Sequence, residues 1–184
     1  GRLEYIICKS KAPSDIDQVF TTVIATLYVP TGYGANYQAS AGWKTITNVI
    51  ECDGMEVGTK DGLTYTFLKQ GNSREATVIR GISSVSPAEG ILNIPNTVSM
   101  TEGGDSYRVV AIANSAFSSN GNIKEVRLYD NITSIGNFAF NKCNNLNKVV
   151  FASNGNLKSI GESAFAGTAI TEIVLPFTLK TIGD

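Results

Sequence analysis

The chain has 184 residues, 42% of them apolar, and a formal net charge of −1. That length holds one domain or two small ones with a real core, and the near-neutral balance lacks the basic footprint that a nucleic-acid partner needs. There is no histidine, which excludes Ser/His/Asp and Cys/His catalysis and histidine-containing zinc sites.

No run approaches the roughly 20 apolar residues of a membrane span. No signal peptide is visible at Gly1-Arg2, and a surface protein without its leader reads the same way. Leu3-Glu-Tyr-Ile6-Ile-Cys8 has the pattern L-x-x-L-x-L, and Ile24-Ala-Thr-Leu27-Tyr-Val29 repeats it 21 residues later. The last two apolar positions of that pattern lie two apart and share one face of a short strand. Ala12-Pro13 and Phe20 lie between the two copies. Pro30, Gly32 and Gly34 then break the chain. A short helix is expected over residues 35–41, followed by Trp43 and the stretch from Ile46 to Glu51. Thr31-Gly-Tyr-Gly34-Ala, with Glu51 about 20 residues on, is similar to a dinucleotide fingerprint. The third glycine is replaced by Tyr37, however, and the unit is short for a Rossmann half. The alternative is a glycine turn that lets the helix fold back.

Residues 52–111 have a different texture. Asp61-Gly62 reads as a tight turn before Leu63-Thr-Tyr65-Thr-Phe67, whose bulky residues alternate. Gln70 to Arg74 is the next turn, Ala76-Thr-Val78-Ile79 a strand, and Ser83–Gly90 a loop. Ile91-Leu-Asn-Ile94-Pro95 is another strand. Val98–Thr101 and Tyr107–Ile112 flank Glu102-Gly-Gly-Asp105 as a hairpin.

From Ile112 onward one phrase recurs. Ile112-Ala-Asn-Ser-Ala-Phe117 precedes Ile123-Lys-Glu-Val126-Arg-Leu128. Ile135-Gly-Asn-Phe-Ala-Phe140 precedes Leu146-Asn-Lys-Val149-Val-Phe151. Ile160-Gly-Glu-Ser-Ala-Phe165 precedes Ile170-Thr-Glu-Ile173-Val-Leu175, and Ile182-Gly183 opens a fourth copy. Phe117, Phe140 and Phe165 are 23 and 25 residues apart, a period that belongs with leucine-rich repeats. Val126 and Leu128, Val149 and Phe151, and Ile173 and Leu175 are expected to point inward. One such strand cannot bury its face alone, so neighbouring copies stack into a parallel sheet. The I-G-x-x-A-F segment supplies the opposite wall. Gly136 and Gly161 are read as permitting a tight bend, with a short helical turn after each.

These copies, and Leu175-Pro176 after the third, resemble the BspA-like leucine-rich-repeat family of bacterial surface proteins. Leu128-Tyr129 and Phe151-Ala152 lack the family's proline. The resemblance implies an α/β leucine-rich-repeat solenoid dominated by strands, with short parallel strands and short helical turns. It further implies that residues 1–51 end one array and close it with a cap. Residues 52–111 would then form a β-hairpin-rich junction and an N-terminal cap, and residues 112–184 would start a second array. Both ends of the chain read as open solenoid ends, which are expected to meet neighbouring copies head to tail.

Cys8, Cys52 and Cys143 are an odd number and fit no metal spacing. The plain reading of Cys143 is a buried free thiol acting as a small hydrophobe; a Cys8–Cys52 bridge is an open possibility. Asn120-Gly121 and Asn154-Gly155 are read as turn formers that tolerate positive φ. Asp130 beside Asn131 is too little for calcium. Glu125, Asp130, Glu162 and Glu172 follow the repeats and do not face one cleft, as glycosidase chemistry would need.

The candidate site is the outward, concave side of the repeat strands. It comprises Glu125, Arg127 and Tyr129, then Lys148 and Val150 beside Ala152, then Glu172 and Val174 beside Pro176. In-register stacking places Glu125, Lys148 and Glu172 in one row, as a self-satisfied charge ladder or as part of a binding face with an apolar strip of Tyr129, Val150 and Val174. No catalytic residue, metal or cofactor is indicated. The family resemblance implies a secreted or cell-surface bacterial module that adheres to host, matrix or cell proteins. A glycan-binding module and an architectural spacer are the alternatives, and Tyr129 is the one aromatic that the pattern places on the concave face.

Overall fold

The computed structural model describes the chain apart from residues 1–4, 10, 12–25, 41, 44, 47, 53 and 82–86. Leu3, Ala12-Pro13, Phe20, Ile24 and residues 83–86 of the Ser83–Gly90 loop therefore lie outside the described residues. The chain divides into two compact units, one of residues 1–56 and 68–73, the other of residues 57–67 and 74–184.

In the first unit β1 (Tyr5–Ile7), β2 (Thr26–Pro30) and β3 (Asn48–Cys52) form a parallel sheet with β2 in the centre. A six-residue helix, α1 (Gly34–Ala39), crosses from β2 to β3. Leu27 and Val29 of β2 are buried with Tyr37, Trp43 and Ile46. The Tyr37 and Trp43 rings meet edge to face at 5.4 Å, a geometry that aligns a positive ring edge with a negative ring face.

The boundary between the units falls within β4 (Gly54–Lys60), β5 (Leu63–Gln70) and β6 (Ser73–Gly81). Asp61 and Gly62 both have positive φ, 49° and 77°, as a two-residue hairpin turn of the primed type demands. The second unit continues with β7 (Ile91–Ile94), β8 (Thr97–Val98) and β9 (Tyr107–Ile112). β8 and β9 pair antiparallel as the expected hairpin. The repeats contribute β10 (Glu125–Leu128), β11 (Ser134–Ile135), β12 (Lys148–Phe151), β13 (Ser159–Ile160) and β14 (Thr181–Ile182).

β10 and β12 lie side by side and run the same way, Val126 opposite Val149 and Leu128 opposite Phe151. Val126, Leu128 and Val149 are buried, and Phe151 and Ile173 pack against the same core. Leu175 departs from the expectation and is 39% exposed. Residues 172–175 form no strand, and among the described residues no further rung stacks beyond them. β7 occupies the other side of β10, with Leu92 opposite Val126 and Ile94 opposite Leu128. The sequence pattern shows β7 only as an isolated strand, because Glu89 stands where the other rungs carry Ile123 and Leu146.

The opposite wall is a second parallel sheet, running β14-β13-β11-β9-β6. Ile112, Ile135 and Ile160 stand in register along it. After each isoleucine the chain turns through i→i+3 hydrogen bonds, such as Ala139 N–H to Gly136 O at 3.3 Å. The short helical turn does not propagate, because left-handed residues interrupt it: Ser115 and Ser119, Phe138 and Lys142, Ser163 and Gly167. A left-handed residue swings the chain out of the right-handed spiral. Freed N–H groups bond to the next rung instead, Phe138 to Glu162 O, Phe140 to Ala164 O and Lys142 to Ala166 O, each at 2.8 Å.

Two expectations of positive φ do not hold. Gly136 and Gly161 are absent from the positive-φ set, so the bend does not require them. They are needed because the preceding rung is too close: a Cβ on Gly136 would stand 2.5 Å from Asn114 N. Asn120-Gly121 and Asn154-Gly155 do contribute to turns, with Asn120 Oδ1 accepting from Asn122 N–H at 3.0 Å, but without positive φ. Other asparagines bridge rungs: Asn114 Oδ1 accepts from Asn137 N–H at 2.8 Å, and Asn137 Oδ1 from Glu162 N–H at 2.9 Å. Asn145 and Asn156 donate their amides to Gly121 O and Asp130 O, at 2.7 and 3.0 Å.

Candidate functional site

The outer face of the β7-β10-β12 sheet carries the side chains that the strand period turns away from the core. Ile91, Glu125 and Lys148 form one row, and Asn93, Arg127 and Val150 the next. Glu125 is the electrostatic centre. Its carboxylate accepts from Arg127 Nε on the same strand at 2.6 Å and meets Lys148 Nζ on the neighbouring strand at 3.2 Å. The Arg127 hydrogen bond, aided by Lys148, holds the Glu125 carboxyl below the usual glutamate range against the opposing effect of desolvation. Such partly exposed pairs contribute about 0.2–1 kcal/mol each.

The third member of the expected row does not join. Glu172 lies outside any strand and is exposed, and among the described residues no ion pair links it to Lys148. Tyr129, Val150 and Val174 are all exposed, at 44%, 36% and 77%. The row therefore extends toward Ile91, which the sequence reading missed, and loses Glu172.

The glycine turn of the first unit is already occupied by the chain itself. Glu51 Oε2 accepts from Gly32 N–H at 2.8 Å and Oε1 from Gly34 N–H at 2.7 Å. A carboxylate thus fills the place where a fingerprint loop would hold phosphate, and a Cβ on Gly34 would stand 2.5 Å from Glu51 Oε1. These two backbone hydrogen bonds, Gly32 first, draw the Glu51 carboxyl below its ordinary value. A lowered folded-state value means stability that is present above the unfolded value and lost as pH falls through the folded one. Acidification below about pH 4.3, the ordinary glutamate value, is expected to loosen this unit. The single tryptophan of the chain, Trp43, lies in it, so its fluorescence reports the change. Glu51→Gln is expected to unfold more readily at pH 7 and to lose part of the acid sensitivity. Identical acid transitions in both proteins would show that the contact carries no weight.

The cysteines are free. Cys8 follows β1 and Cys52 ends β3, on opposite sides of β2. Two strand spacings, roughly 10 Å, exceed the reach of a disulfide. Cys143 is fully buried and its Sγ donates to Phe117 O at 3.1 Å, and burial pushes its thiol up. Among the described residues no helix is long and apolar enough to cross a membrane.

The model of the BspA type leucine-rich repeat region matches residues 96–184 in six copies. A leucine-rich repeat protein from Bacteroides capillosus is 31% identical, with 68% of this chain and 86% of that one aligned at a TM-score of 0.58. The chain belongs to the BspA-type leucine-rich-repeat family. A leucine rich cell surface protein from Faecalibacterium prausnitzii is also similar, at 26% identity and a TM-score of 0.56, over 71% of this chain and 33% of that one. Among curated proteins no sequence matches. The BspA-type fold seen here is the strand-dominated solenoid expected from the repeats. The family is in general a non-enzymatic repeat scaffold for protein binding.

Proposed function

We propose that this BspA-type chain is a secreted or cell-surface module that adheres to host, matrix or other cell proteins through the outer face of the β7-β10-β12 sheet. The observation that carries this reading is the exposure of Tyr129 and Val150, at 44% and 36%, beside a charged row that is internally paired. Paired charges demand no partner, whereas apolar side chains gain from being covered. The surface description of the Faecalibacterium relative supports the location. The spacer alternative draws on the same paired row, since Glu125, Arg127 and Lys148 satisfy one another without a ligand.

Arrays of extracellular-matrix proteins and of glycans, probed with the full chain, separate the readings. A protein ligand is expected. Val150→Asp, which places a charge in the apolar strip, is expected to weaken that binding at least tenfold while the unfolding midpoint stays unchanged. Binding that survives both Val150→Asp and Tyr129→Ala would move the site elsewhere, and silence on both arrays would favour the spacer.

A further inference from the structure

A cavity of about 500 Å³ lies in the second unit beside this outer face. Its lining includes Asp61 from the β4–β5 turn, Tyr65 of β5, Glu89 from the turn before β7, Ile91 and Asn93 of β7, and Arg127 of β10. Asn93 and Arg127 are register partners on the sheet, so the cavity and the outer face are continuous.

The charges in the lining are unequal in their freedom. Arg127 is engaged by Glu125 at 2.6 Å. Asp61 and Glu89 are exposed and take part in no ion pair among the described residues. The Tyr65 phenol, buried in the wall, is pushed up to about 12 by burial and by the charge of Asp61, so Asp61 projects its field onto that wall. Ile91, half-buried, offers apolar surface in the same lining.

We propose that this cavity receives an arginine or lysine side chain from an extended segment of the protein partner. The proposal rests on the adhesive reading of the outer face and extends it to one side-chain chemistry. The aliphatic stem of such a residue lies along Ile91 while its charged head stays in water. There Asp61 and Glu89 supply the opposite charge, and a guanidinium takes carboxylates in bidentate fashion. Because both carboxylates are exposed, the attraction is screened by salt, over a Debye length of about 10 Å at 0.1 M.

The test is an NMR titration of the full chain with three probes: acetyl-Val-Arg-Val-amide and its Gln and Glu counterparts. The arginine peptide is expected to shift the amides of residues 61–65 and 91–93 and to bind at least tenfold tighter than the other two. The preference is expected to shrink as salt rises and to vanish in D61N/E89Q. Asparagine tolerates the left-handed backbone at position 61, and the single variants D61N and E89Q give the same readout if the double one folds poorly. Equal binding of the three peptides, or an undiminished preference in D61N/E89Q, overturns the proposal. Val150→Asp lies outside the lining and is expected to keep the preference. A failure of the sheet-face reading therefore leaves this result standing, and loss of the preference in Val150→Asp counts against the cavity.

Discussion

Gly161→Ala is expected to destabilise the second unit by about 3 kcal/mol, the upper part of the range for overpacking. A Cβ at Gly161 would lie 2.5 Å from Asn137 N and 2.6 Å from Gly136 C. Both are backbone atoms of the preceding rung, so no rotamer change relieves the collision. The rung would have to lift, and the bond from Gly161 N–H to Ile135 O, 2.8 Å long, would lengthen with it. Ala113 fills the equivalent place in the first copy, where a Cβ is accommodated. Ala113→Gly is therefore expected to cost no more than about 1 kcal/mol, mainly through unfolded-chain entropy. Urea unfolding of the two variants makes the comparison. A Gly161→Ala protein within about 0.5 kcal/mol of the parent would mean that the rungs are not this close.

Phe140→Ala has an expected cost of about 4 kcal/mol, within the range for emptying a buried aromatic site. Phe140 is fully buried. Its ring lies parallel to Phe117 at 5.1 Å and to Phe165 at 5.4 Å, so both offset-stacked neighbours lose their partner together. Phe165 is only partly buried and has one stacked neighbour. Phe165→Ala is expected to cost roughly half as much, because it empties a smaller share of the packed interior. Thermal unfolding ranks the pair, and equal losses would show that the stack adds nothing to simple burial. Phe140→Leu keeps most of the volume and is expected to recover more than half of the difference.

Rungs β10 and β12 were readable from intact apolar spacing, whereas the third copy keeps that spacing and forms no strand over residues 172–175. Val126 and Leu128 opposite Val149 and Phe151 follow from a period of two inside a longer repeat, and burial of one face alone determines that register. The first rung was not readable as a rung, because Glu89 breaks the pattern and the pairing of β7 with β10 depends on tertiary context. The glycine roles were misassigned for a related reason. A glycine needed for φ and a glycine needed for clearance look the same in a sequence, and only the neighbouring rung tells Gly161 from Gly167. The candidate face was legible at Glu125 and Lys148, whose pairing needs only the stacking. The cavity beside Arg127 was not, since Asp61, Glu89 and Arg127 come from two turns and a strand far apart in sequence that only the folded chain brings to one lining.

The bonds that hold one rung to the next, backbone and asparagine alike, point along the stacking direction. A tensile load applied between the first and last rungs of the second unit would therefore meet them in series. The outermost layer would peel away while the inner ones stayed intact, releasing about 23 residues of slack each time, or roughly 80 Å at full extension. For a chain tethered at one end and gripped at the other, that makes the stack a stepwise force absorber and not a brittle strut.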